Sequence, residues 1–396
     1  MNRRLFLQSL VATSGLLTCR SSFFAAPASD TRFLLVFLRG GYDAANILIP
    51  HSSDYYYLVR PKIAIAKPDP TNIHAGLAIN TDWSLHPALK SSVWPLFQKG
   101  QAAFIPFAGT DDLSRSHFET QDSIEFGQPL TGTKDYRSGF LNRLAGVLSG
   151  RHAVSFTDDL PIVCKGAARI PNISLKKNGK PVFAGRQADI LAEMYQGHAL
   201  NTFVQEGMEL RAEVAQDLER EMIQANRGAM LSKGFEAEAK RMAHLMVDKF
   251  NIGFVDIGGW DTHLNEGGAE GQLANKIGSL GNGLAAFASA MGPLWQKTTV
   301  LVISEFGRTF RENGNRGTDH GHGTVYWVLG GGIKGKRVVG EQLRVEQKNL
   351  FQDRDYPVLN EYRSVMGGLF QAQFGLSANQ VQTVFPNSKP MQLGLL

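Results

Sequence analysis

Five stretches of the chain are apolar with almost no polar alternation: Thr31–Leu38, Ala102–Phe107, Asn251–Ile257, Thr299–Ile303 and Val325–Leu329. Continuous rather than alternating apolarity suits strands covered on both faces, as in a mostly parallel sheet. Between them the apolar positions recur at helical spacing, over about 119–126, from about 137 onwards, over 272–290 and over 359–374. From Ala188 to about Lys249 the pattern is helical and rich in polar residues, with Leu191, Met194, Leu210, Val214, Leu218 and Met222 on one stripe. Residues 51–100 show neither period for long and read as irregular surface with a short helix ending near Leu96. The expected fold is therefore α/β. It has a mostly parallel central sheet, and at this length one large domain with a helical insertion at about 185–250 is as much expected as two domains.

The polar residues that follow these strands repeat a theme. The first strand runs into Arg39-Gly-Gly-Tyr-Asp43, and the second into a loop holding Ser114, Arg115, Ser116 and His117. The third ends in Gly258-Gly-Trp-Asp261-Thr-His263. The fourth ends in Ser304-Glu305-Phe-Gly-Arg308, followed by Thr318-Asp-His320-Gly-His322 before the fifth. Ligands of open α/β sheets bind at the carboxyl ends of strands, so each group lies where a site forms. Singly, each has a plainer role. Asp43 suits an Asx turn or a helix cap. Ser116 suits an N-cap as well as it suits a nucleophile beside a helix dipole. Asp261 and His263, two residues apart, point to one side of an extended chain, as a chelating pair or as a simple hydrogen-bonded pair. Their repeated placement favours one joint site.

Composition narrows the partners. Apolar residues make up 43% of the 396, enough for a sizeable core. The formal charge is +5, but residues 1–28 carry Arg3, Arg4 and Arg20 with no acid, so the remainder is only +2. With no Lys/Arg block elsewhere, a nucleic-acid partner is not expected. Asn2-Arg-Arg-Leu-Phe-Leu7, a short apolar run and Ala26-Pro-Ala28 form a twin-arginine export pattern with a cleavage site near Ala28. The expected location is periplasmic or secreted, with no stable membrane span once the signal is removed. Of two cysteines, Cys19 leaves with the signal, so Cys164 has no disulfide partner.

Leu38-Arg-Gly-Gly-Tyr-Asp43, Arg115-Ser-His-Phe118, Gly258–His263, Ser304–Thr309 and Thr318–Gly323 together resemble the bacterial family known as domain of unknown function 1501. That family is similar to the alkaline phosphatase and sulfatase superfamily. The resemblance implies an alkaline-phosphatase-like three-layer sandwich, a single domain over 29–396 with the helical insertion at about 185–250. It makes Asp43 the first metal ligand, Ser116 the nucleophile, Asp261 and His263 the holders of one ion, and His320 or His322 the late histidine. Glu305 stands where an adjacent Asp-His pair has its aspartate, and Phe306 where it has its histidine. The sulfatase signature around a modifiable cysteine is absent.

The function so implied is an exported metal-dependent hydrolase, or transferase, acting on phosphate or sulfate esters. One or two divalent ions would be held by Asp43, Asp261, His263, Glu305, His320 and His322, with zinc or manganese fitting these ligands better than calcium. Arg308 or Arg115 would clamp the anionic group, and His117 would assist proton transfer. The substrate would be an anionic ester, one borne on a glycan included. The alternative is a non-catalytic exported binding protein with a degenerate metal site, a reading supported by Phe306. A metal-free serine esterase ranks last, because no Gly-x-Ser-x-Gly turn is present.

Overall fold

The computed structural model describes residues 31–175, 185–198, 200–208 and 234–396. The export pattern at 1–28 and the stripe residues Leu210, Val214, Leu218 and Met222 lie outside the described residues. The five apolar runs are strands: β1 (Arg32–Leu38), β5 (Ala102–Gly109), β7 (Ile252–Ile257), β8 (Thr298–Ser304) and β9 (Thr324–Leu329). With β6 (Ala153–Ser155), β10 (Arg337–Val338) and β11 (Asn360–Glu361) they form one sheet, ordered β10-β5-β9-β8-β1-β7-β6, with β11 also on β5.

β1 is the spine, paired in parallel with β7 on one side and β8 on the other. Its alternate side chains enter two separate cores. Leu34, Val36 and Leu38 pack into one with the helices Phe235–Asp248 and Gln272–Ala290; Phe33, Leu35 and Phe37 pack into the other with Phe140–Val147, Tyr362–Phe374 and Ala378–Val384. That two-sided burial is why β1 carries no polar alternation, and each such side chain contributes about 1.5–3 kcal/mol. The architecture is the expected α/β sandwich with a mostly parallel sheet.

β9 is the exception: it runs antiparallel to both β5 and β8. The chain therefore leaves β8 and enters β9 at the same edge of the sheet. The connecting segment 305–323 stays at the edge where β1, β5 and β7 also end. This placement decides where the site forms.

One region differs from expectation. Residues 51–100 keep the expected short helix near Leu96 but hold more regular structure than irregular surface. They contain the helices Asp54–Val59 and Val93–Gln98, and strands β3 (Leu77–Ala78) and β4 (Ser84–Leu85) of a small antiparallel sheet with β2 (Leu48–Ile49). Two-residue strands are too short for any period to show. The helix Phe235–Asp248, at the end of the expected helical stretch, buries Phe235, Ala239, Met242 and Met246 in the core against the Gln272–Ala290 helix.

Candidate metal centre

The first turn after β1 sets the geometry. Gly40 (φ +124°) and Gly41 (φ +60°) adopt backbone conformations that side chains resist. A Cβ on Gly40 would lie 2.6 Å from the Asp261 amide nitrogen, and one on Gly41 would lie 2.4 Å from the Phe306 ring. Both glycines are there to let the strand-end loops of β7 and β8 close against this turn.

Glu305, the first residue after β8, is fully buried. Its Oε1 accepts from the Gly40 amide, Gln121 Nε2 and His117 Nδ1, each at 2.8 Å, and its Oε2 accepts from Ser304 Oγ at 2.8 Å. Burial pushes its carboxyl up, but the bonds from His117, Gln121 and Gly40 more than offset this and hold it below its ordinary value. Glu305 is thus an ionised carboxylate with both oxygens engaged. It stands behind His117, and its oxygens are not among the clustered donor atoms of His117, Asp261 and His320.

His117 opens the helix His117–Phe126. With Nδ1 on Glu305, its Nε2 points at His320 Nε2, 3.0 Å away, and lies 3.5 Å from Asp261 Oδ2. The hydrogen bond to Glu305 raises the His117 pKa above its ordinary value, with burial acting against it. His320 Nδ1 lies 3.0 Å from the Arg115 carbonyl, which can only accept, so that nitrogen carries the proton and Nε2 keeps its lone pair. Burial, then the charges of His117 and Arg308, lower the His320 pKa. Arg115 adopts a left-handed φ of 52° to present that carbonyl, and its side chain is tied to Asp355 at 2.8 Å.

His117, Asp261 and His320 thus offer donor atoms that lie within 4.8 Å of one another. Both Nδ1 atoms are committed to oxygen acceptors, the arrangement in which imidazoles present Nε2 to a metal. The donor set fits a divalent ion of the zinc or manganese type, since two imidazoles and one carboxylate leave positions open. His263 lies beside it, with Nε2 2.8 Å from Asp261 Oδ1 and 3.1 Å from His320 Nε2, and Nδ1 3.3 Å from Asp319 Oδ1. The period-two pairing of Asp261 and His263 is therefore observed. The ring of Phe306 covers the inner side, 4.8 Å from that of His117 and 5.2 Å from that of His320.

The other sequence candidates lie elsewhere or serve otherwise. Both oxygens of Asp43 are held by the buried guanidinium of Arg60, at 2.9 Å for Nη2–Oδ1, which also bonds the Phe310 and Thr309 carbonyls. Asp43 is thereby a buried ion pair and does not join the histidines. Glu266 is also buried there, bonded by Thr262 and Thr318, and burial together with the Asp43 charge pushes its carboxyl well above the ordinary range. His322 packs on Phe351 at 5.0 Å, and burial lowers its pKa to about 4. Ser116 Oγ accepts from the Glu119 amide, which makes it the helix cap. Arg308 is buried, and its donors go to the Gly40, Gly41, Trp260 and Thr318 carbonyls and to Asp261 Oδ1, so it is not free to clamp a substrate. Sequence reasoning placed His117 at the site as a proton-transfer group and not among the metal donors, and it missed Arg60 as the partner of Asp43. The serine-flanked position of His117 at a helix start was the signal for the first, whereas nothing local pointed to Arg60.

Residues 30–385 match the family model described as Protein of unknown function (DUF1501). The chain belongs to this family. Comparison with curated proteins returned no match. Among solved structures, this DUF1501 chain is similar to a protein in the alkaline phosphatase superfamily from Vibrio parahaemolyticus, at 10% identity and a TM-score of 0.35 over 78% of this chain; it spans 62% of that protein's length. It is also similar to the lipoteichoic acid synthase LtaP from Listeria monocytogenes, at 8% identity and a TM-score of 0.39, covering 93% of this chain and 76% of that one. Ps i-CgsB, solved in complex with k-i-k-neocarrahexaose, matches at 10% identity and a TM-score of 0.34 over 88% and 73% of the two chains. These overlaps are partial.

Proposed function

We propose that this protein is an exported metal-dependent hydrolase, or transferase, of phosphate or sulfate esters. One observation carries the reading: His117 Nε2, His320 Nε2 and Asp261 converge at the carboxyl edge of the sheet, with both imidazole Nδ1 atoms bound to oxygen acceptors. His117, His320 and Asp261 would hold the ion, with His263 beside them. A divalent ion there supplies polarisation of an ester oxygen and a bound water of lowered pKa. The chain's own residues do the positioning. Glu305 and the Arg115 carbonyl fix the two imidazoles, Arg308 fixes Asp261, and Phe306 excludes water from behind the rings. Arg115 and Arg354, partly exposed and joined through Asp355, bring positive charge to the rim where an anionic ester would approach. The twin-arginine pattern supports an extracytoplasmic setting.

The test is metal analysis of the purified protein, with aryl phosphate and aryl sulfate assays before and after chelation. The expected result is a bound divalent ion and a turnover lost on chelation and in His320→Ala. No ion, with activity indifferent to Asp261→Ala and His320→Ala, would overturn the proposal. One observation favours the alternative of a non-catalytic binding protein. Ser116 caps its helix and Arg308 is fully engaged, so neither is free to act on a substrate. A stoichiometric ion with no turnover of any ester would support that alternative.

A further inference from the structure

We infer that the centre takes a single ion, on His117, His320 and Asp261, and that the guanidinium of Arg308 is its permanent second positive charge. This rests on the metal-centre reading above. The resemblance implies that Asp261 and His263 hold an ion together, and the structure sets the Arg308 guanidinium against both. Its Nη2 donates to Asp261 Oδ1, and its Nη1 lies 3.4 Å from His263 Nε2. Those are the two donor atoms that a second ion would need.

The guanidinium cannot swing away. It is fully buried, and its remaining N–H groups bond the Gly41 carbonyl through Nε, the Gly40 and Trp260 carbonyls through Nη2, and the Thr318 carbonyl through Nη1. A planar fork of donors matches this set of fixed acceptors and remains charged at every accessible pH. Asp261 Oδ2 faces the other way, towards His117 Nε2. Oδ1 thus takes the guanidinium and also lies 2.8 Å from His263 Nε2 and 3.3 Å from His320 Nε2, while Oδ2 is left to His117. Arg308 is a positioning residue in this account. It sets the number of ions by standing as a cation against both Asp261 and His263.

Equilibrium zinc titration of the whole mature chain, with ion content counted per chain, tests the inference without reference to turnover. The wild type is expected to bind one ion, Arg308→Lys one, and Arg308→Met two, since the methionine removes the cation that stands against Asp261 Oδ1 and His263 Nε2. Two ions in the wild type, or one ion in a folded Arg308→Met, would overturn it. Because Arg308→Met can fail to fold, His263→Gln gives an independent arm. It is expected to keep one ion within about threefold of the wild-type affinity, whereas His320→Gln loses it. Loss of the ion in His263→Gln would equally overturn the inference while leaving the metal centre standing. No ion in the wild type would overturn the metal-centre reading itself, and this inference with it.

Discussion

Replacing Glu305 with glutamine separates an orienting carboxylate from a metal ligand. The perturbation is close to isosteric, and the surroundings fix the amide's orientation. Three donors converge on Oε1, so the amide oxygen must take that place. The amide nitrogen then faces Ser304 Oγ, which can accept from it while donating to the Leu38 carbonyl at 2.6 Å. No polar group is left orphaned, and the loss is the charge. Hydrogen bonds to a charged acceptor contribute about 1.5–3 kcal/mol and neutral ones about 1, so the fold should lose roughly 1–2 kcal/mol. The larger effect falls on His117, whose Nε2 becomes a weaker donor. Loss of an outer partner of this kind costs about 10–100-fold in metal affinity. Competition of the protein with a chromophoric chelator for zinc reads that change, and urea unfolding reads the stability. Zinc affinity within about twofold of wild type would refute the orienting role. Abolished binding in a variant that stays folded would instead put Glu305 in direct contact with the ion.

Two further outcomes follow from the same structure. His86 is buried, with Nε2 on the Gly268 carbonyl at 3.1 Å and Nδ1 accepting from the Ala88 amide at 3.0 Å, and burial lowers its pKa from 6.5 to about 4. Because the folded value is depressed, its contribution is complete above about pH 6.5 and is lost as pH falls towards 4, by about 2 kcal/mol between pH 7 and 5. His86→Asn, which keeps the capping acceptor without titrating there, should lose correspondingly less over that interval in urea unfolding; equal losses would count against the assignment. Gly41→Ala should destabilise by about 2–4 kcal/mol, part from a left-handed alanine and part from the Phe306 ring. Adding Phe306→Leu should recover the second part only, and full recovery would show that the backbone conformation costs nothing.

The strands were legible because burial on both faces leaves an unbroken apolar run, as in Phe33–Leu38 and Thr299–Ile303. The helix Gln272–Ala290 was legible because nineteen residues give the 3.6 period room to show. The Asp261–His263 pair was visible for a local reason, the two-residue repeat of an extended chain. Roles that depend on distant partners were not. Ser116 as cap and Ser116 as nucleophile look alike in sequence, and only the Glu119 amide at its hydroxyl separates them. His117 finds its carboxylate 188 residues away, and Arg60 reaches Thr309 across 249.

The sequence by itself determined the strands, the groups that follow them and hence the edge of the sheet at which chemistry would gather. Which of those groups meet was decided only in three dimensions. β9 runs against its neighbours, so the segment from Glu305 to Gly323 folds back over the strand ends and brings His320 to His117. A parallel β9 would have needed a crossover to the opposite edge. The buried guanidiniums then divide the carboxylates. Arg60 takes both oxygens of Asp43 and Arg308 takes one of Asp261, because a buried charge must be paired where it lies, and no local pattern records which partner the fold will supply.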